Sequence, residues 1–114
     1  MTTTGAWKTA SQRATAAFDL PGAMDKMVKL PFGEMPAGVA LNIAIFDVAT
    51  HAVDLAESTG QGIKDTELLE TALEYGKQMI GPELRVPGVF AEEQPCPADA
   101  PVEKRLFAFS GRKV

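Results

Sequence analysis

Cysteine, histidine, tryptophan and tyrosine each occur once in the 114 residues, and aromatics make up only 7% of them. A single thiol, Cys96, cannot close an intramolecular disulfide, so the chain reads as intracellular. Cys96 lies between Pro95 and Pro97 with no histidine near it in sequence, which makes it an ordinary loop thiol rather than a nucleophile. Positive charge is also scarce: 11 Lys and Arg stand against 15 Asp and Glu, a net charge of -4. The densest basic group, Lys104, Arg105, Arg112 and Lys113, reads as a solvated helix end, and no stripe exists that could neutralise a phosphate backbone. The N-terminus has no basic start followed by an apolar run, hence no signal peptide. The longest apolar stretch, Val39 to Phe46, is interrupted by Asn42 and is too short to span a bilayer. Internal repeats and low-complexity tracts are missing too. A soluble, cytoplasmic, single-domain protein without nucleic-acid or membrane partners is expected.

What is present favours helices. Hydrophobic residues are 46% and charged residues 23% of the chain, a globular balance. The apolar content is mainly Ala, Leu, Val and Met, and Ala, Leu and Met lose little rotamer freedom in a helix. Pro and Gly cut the chain into four helical pieces. The first covers about residues 6–18, with Trp7, Ala10, Ala14 and Phe18 on one stripe. An irregular connector over 19–36 follows, in which Met27 to Pro31 reads as a short extended piece. The second helix, about 37–58, is apolar at most positions and is expected to be central and buried on most sides. Gly60 and Gly62 end it. The third helix, about 65–79, has Asp65 or Thr66 as N-cap and an amphipathic pattern. A second irregular connector, 80–101, precedes a last helix at about 102–110, anchored by Leu106, Phe107 and Phe109.

The apolar second helix carries Asp47, His51 and Asp54 at i, i+4 and i+7, on one face, with Ser58 continuing the line. A carboxylate one turn before an imidazole can present two metal ligands to one point, and Asp54 stands where it can orient the site or accept a hydrogen bond. The same spacing also describes the wet side of an amphipathic helix with a mildly stabilising Asp–His pair. The narrowness of the stripe, and the presence of the only histidine on it, favour the ligand reading.

These residues carry a resemblance. Phe46 to Gly60, with Asp47, His51, Asp54-Leu55-Ala56 and Thr59-Gly60, resembles the hallmark helix of the DinB/YfiT-like superfamily. It is similar to the actinobacterial branch related to the metal-binding domain of mycothiol-dependent maleylpyruvate isomerase. Phe18 to Gly22 and Leu30 to Pro36 resemble the segment before that helix. Arg85 to Phe90, Asp99 to Pro101, Arg105-Leu106 and Ser110 to Arg112 resemble the family's C-terminal tail. The resemblance implies an all-α, up-down helical bundle with a divalent metal, zinc or nickel, at its core. Asp47 and His51 match two of the family's three ligands. Beside a metal held there, Asp54 is the candidate catalytic residue, placed to orient the site or handle a proton. Mycothiol would be the thiol cofactor of an isomerase or S-transferase acting on a small electrophile.

The family's third ligand is a histidine on an early helix, and this chain has no second histidine. The resemblance therefore covers only the C-terminal part of the family's pattern, and two protein ligands fall short of the three that catalytic zinc keeps. Without two further helices, a wide apolar face of the second helix is left exposed. Three arrangements fit: a longer natural chain, a homodimer whose helices rebuild a four-helix bundle, or a reduced relative without catalysis. A non-enzymatic helical interaction module is the alternative function. A further reading, a small apolar ligand held by Met24, Met27 and Phe32, competes with those residues being plain core.

Overall fold

The computed structural model describes residues 2–31 and 33–114. Its elements are α1 (Thr3–Asp19), a single 3-10 turn (Ala23–Asp25), β1 (Met27–Leu30), β2 (Gly33–Pro36), α2 (Ala37–Thr59), α3 (Thr66–Met79), a second 3-10 turn (Pro82–Leu84) and α4 (Val102–Phe109). The chain forms two compact units, Met1–Leu41 and Asn42–Val114, with the division inside α2.

In the first unit, α1 begins a turn earlier than the apolar stripe indicates. The Thr2 hydroxyl accepts from the Gly5 N–H at 3.0 Å and satisfies one of the donors that every helix start leaves open. No α1 residue is buried, and Trp7 is 72% exposed, so its stripe is not a core face of this unit. Gly22, at φ 76°, turns the chain out of α1.

The connector is not wholly irregular. Met27–Leu30 pairs antiparallel with Gly33–Pro36, Val28 opposite Met35 and Lys29 opposite Glu34. The architecture is mostly helical, as the composition leads one to expect, with one small two-stranded ribbon among the described residues. Pro36 ends β2, a place where its missing N–H costs no ladder bond, and does not open the helix. Met24 and Met27 are 41% and 58% exposed, and Phe32 lies outside the described residues.

The second unit holds the core. Phe46, Ala49 and Val53 on α2 pack with Leu69, Ala72 and Leu73 on α3 and with Val102, Leu106 and Phe109 on α4. The Phe46 and Phe109 rings meet edge to face with centroids 5.9 Å apart, and Phe90 tilts against Phe46 at 6.1 Å. Asp65 caps α3, its Oδ1 accepting from Leu68 N–H at 3.1 Å. Gly76 faces this cluster and gives the Phe46 ring room against α3. The long 80–101 segment is tied to α4 at two points: the Arg85 guanidinium donates to the carbonyls of Ala91 and Phe109, and Gln94 N–H donates to the Ala108 carbonyl.

One expectation fails here. α2 is not buried on most sides: its core row is Phe46, Ala49, Thr50 and Val53, while Val48 and Leu55 are 67% and 66% exposed. The reason is geometric. Packing partners on one side cover only one stripe of a helix. By length and apolar content alone α2 could also cross a bilayer, although Asp47, His51 and Asp54 lie along it.

Candidate metal centre

The Asp47–His51–Asp54 stripe runs beside the core row of α2. The side chains of Asp47 and His51 are 66% and 65% exposed, and that of Asp54 is 32% exposed. The structure brings all three together around the imidazole. His51 Nε2 lies 3.3 Å from Asp47 Oδ1, and His51 Nδ1 lies 3.2 Å from Asp54 Oδ2. The two carboxylates thus take opposite nitrogens of one ring. They cannot both join His51 on a single ion, and no three metal-ligating side chains converge among the described residues. The stripe divides into a pair, Asp47 with His51, and a carboxylate behind the ring, Asp54.

The residues fit a divalent metal at that pair in one measurable respect. Bonds of about 2.0–2.2 Å to a nitrogen and an oxygen in a tetrahedron set the two donor atoms roughly 3.4 Å apart. Asp47 Oδ1 and His51 Nε2 already stand at 3.3 Å. Asp54 occupies the position of the carboxylate that orients a ligating histidine through its other ring nitrogen.

Sequence reasoning missed what holds Asp54. Arg112, read as part of a solvated basic end, folds back onto α2. Its Nε donates to Asp54 Oδ1 at 2.6 Å and its Nη2 to Asp54 Oδ2 at 2.7 Å, a two-pronged ion pair across 58 positions of sequence. Arg112 Nη1 donates to Ser110 Oγ at 2.9 Å, and the guanidinium lies 5.7 Å from the Phe107 ring centre. Gly111 makes this return possible. It sits at φ 99°, and a Cβ there would meet the Cβ of Ala91 at 2.7 Å. Arg105 is likewise not free, pairing with Glu70 and donating to the Ala100 carbonyl. No local signal marks either pair, because both partners are distant in sequence.

Burial pushes Asp54 up, but the hydrogen bonds and charge of Arg112, helped by His51, outweigh it and hold the carboxyl below its ordinary value. A depressed carboxylate stabilises the fold above its unfolded value and loses that contribution as pH falls through its folded value. Asp54→Asn should therefore lower stability at neutral pH by about 1 kcal/mol, discounted for solvent around a pair that is one-third exposed. Urea unfolding across pH should show the gap between the two proteins closing below the ordinary aspartate value of 3.8. A gap that stays constant through that range would remove the ion pair from the stability argument.

No family model matches the chain, and no solved structure matches it. Two curated relatives do: uncharacterized protein MT0763 of Mycobacterium tuberculosis (strain CDC 1551 / Oshkosh) and uncharacterized protein Rv0738 of Mycobacterium tuberculosis (strain ATCC 25618 / H37Rv). Each is 43% identical over 112 residues, covering 92% of this chain and 62% of the relative. The chain is thus similar along most of its length to these mycobacterial proteins while spanning less than two thirds of theirs.

Proposed function

We propose that this chain is a divalent-metal-binding helical protein of the DinB-like kind, with Asp47 and His51 as its protein ligands and Asp54 as the carboxylate that orients His51. The observation that carries this reading is the 3.3 Å separation of Asp47 Oδ1 and His51 Nε2, with the opposite ring nitrogen turned to Asp54. Zinc or nickel suits one imidazole and one carboxylate. Two ligands hold a metal weakly, so a third group has to come from a second copy, from further chain of the kind the longer relatives have, or from a thiol such as mycothiol. When bound, the metal would act as a Lewis acid at a thiolate or water, the chemistry of a thiol-dependent isomerase or S-transferase. This chain's own residues do the holding. Asp54 has both oxygens engaged, by Arg112 and by His51, which suits orientation better than proton transfer.

Chelator-stripped protein titrated with zinc or nickel in a calorimeter tests the reading. Wild type should bind, and His51→Ala and Asp47→Asn should each weaken binding by ten-fold or more. Absence of binding by wild type, or equal binding by His51→Ala, would overturn it.

A second reading rests on a different observation. Ala44, Val48, Ala52 and Leu55 form an exposed, apolar row along α2 beside His51, and Val48 and Leu55 are each about two-thirds exposed. We infer a homodimerisation face from that row, which would complete a four-helix bundle. Light scattering decides it: wild type should have twice the chain mass and Val48→Asp the single mass, whereas a stable wild-type monomer would end this reading.

A further inference from the structure

We propose that Arg112 is the positioning residue of this centre: it clamps Asp54 against Nδ1 of His51, and so selects the imidazole tautomer that turns its Nε2 lone pair toward Asp47. The inference rests on the reading of Asp47 and His51 as the ligand pair, and it goes beyond that reading in making the C-terminal tail part of the site.

A neutral imidazole carries one N–H and one lone pair, and the partner of one nitrogen decides what the other can do. His51 stands between two carboxylates at nearly equal distances, 3.2 Å to Asp54 and 3.3 Å to Asp47. Distance therefore does not choose between them; fixation does. Asp47 is 66% exposed, so water competes for its oxygens and its side chain is free to swing. Asp54 is half as exposed and is held at both oxygens by the planar fork of Arg112. The entropy of fixing that carboxylate is already spent when it meets Nδ1–H. A hydrogen bond there is made to a prearranged acceptor, which loses little further freedom in accepting it.

The clamp is itself fixed. All three guanidinium nitrogens are engaged, two on Asp54 and one on Ser110 Oγ, whose hydroxyl donates to the Phe107 carbonyl at 2.8 Å. The Arg112 N–H donates to the same carbonyl at 3.0 Å. These bonds set Arg112 relative to α4 and leave it one direction to reach. A charged tail serving only solubility would have no use for a fork aimed at the one carboxylate that touches the one histidine. The tail thus reaches the ligand pair through a chain of contacts, Arg112 to Asp54 to His51, without touching the ligands' metal-facing atoms.

The single histidine makes the test direct, because the protein has one imidazole to read. Long-range nitrogen–proton NMR on metal-free protein, at a pH where the ring is neutral, should show the Nδ1–H tautomer dominant in wild type. In Arg112→Gln the Nε2–H tautomer, which a solvated histidine prefers, should become dominant. Arg112→Lys keeps the charge but loses the fork and should fall between the two. It also serves if the glutamine variant does not fold. Zinc affinity should fall about ten-fold in Arg112→Gln, the lower end of what loss of an outer partner of a metal ligand costs. A wild type dominated by Nε2–H, or a tautomer ratio unmoved by either substitution, overturns the proposal. If the tautomer switches while wild type binds no metal, the ligand assignment fails and the clamp stands. If zinc binds wild type and Arg112→Gln alike with an unmoved tautomer, the clamp fails and the ligand assignment stands.

Discussion

Phe46→Ala should destabilise the second unit by about 3–5 kcal/mol, the range for emptying a large aromatic site in a packed core. Phe46 is 3% exposed and joins all the pieces of that unit: it rides on α2, meets Phe109 of α4 edge to face, touches Phe90 of the long connector, and lies over Gly76 of α3. Removing the ring takes away both its transfer free energy and two aromatic contacts, and the opposing backbone of α3 cannot collapse far into the space left. At roughly 4–8 °C per kcal/mol for a unit of this size, thermal unfolding monitored by circular dichroism should show a fall of more than 10 °C, or no cooperative transition. A loss below about 1 kcal/mol would mean that Phe46 is not the keystone of this core.

Gly76→Ala should destabilise by about 2 kcal/mol, against the ordinary preference of helices. Replacing a mid-helix glycine by alanine normally gains about 1 kcal/mol. Here a Cβ would come within 2.5 and 2.7 Å of two Phe46 ring atoms and 3.0 Å of Phe109. These rings are locked in the core, so the clash is relieved only by shifting α3, an overpacking cost of about 1–3 kcal/mol with occasional larger values. The sign is diagnostic. In a Phe46→Ala background the principal clash disappears, and Gly76→Ala should then restore stability by about 1 kcal/mol through helix propensity. A Gly76→Ala protein more stable than wild type in urea would show that the Phe46 ring does not pack on α3.

Much of the helical frame was legible locally. The stretches read as 37–58 and 65–79 match α2 and α3 to within a residue, because Gly60, with φ 71°, and Asp65, whose side chain caps α3, are local signals with local mechanisms. The final helix announced itself through Leu106 and Phe109, and both are core. The extended run at Met27 was visible as such, but its pairing with Gly33–Pro36 was not, since a strand's partner is not written in its own four residues. The burial of α2 was legible only in part. Its apolar composition points to burial on most sides, yet composition states only what a helix could bury, not what is there to cover it; the exposed apolar face, with Val48 and Leu55, is the part that agrees with expectation.

The candidate site divides along the same line. The sequence by itself determined that Asp47, His51 and Asp54 share a face, because 3.6 residues per turn is a property of any helix. It also determined that His51, as the lone histidine, has no second imidazole in this chain to help it. Only the tertiary structure decided that Asp47 and Asp54 take opposite nitrogens of the ring, and that Arg112 returns from the C-terminal tail to hold Asp54. Such a pairing depends on where α4 ends, on the φ of Gly111, and on the packing that fixes α4 beside α2. Those are long-range facts, and no spacing within a helix encodes them.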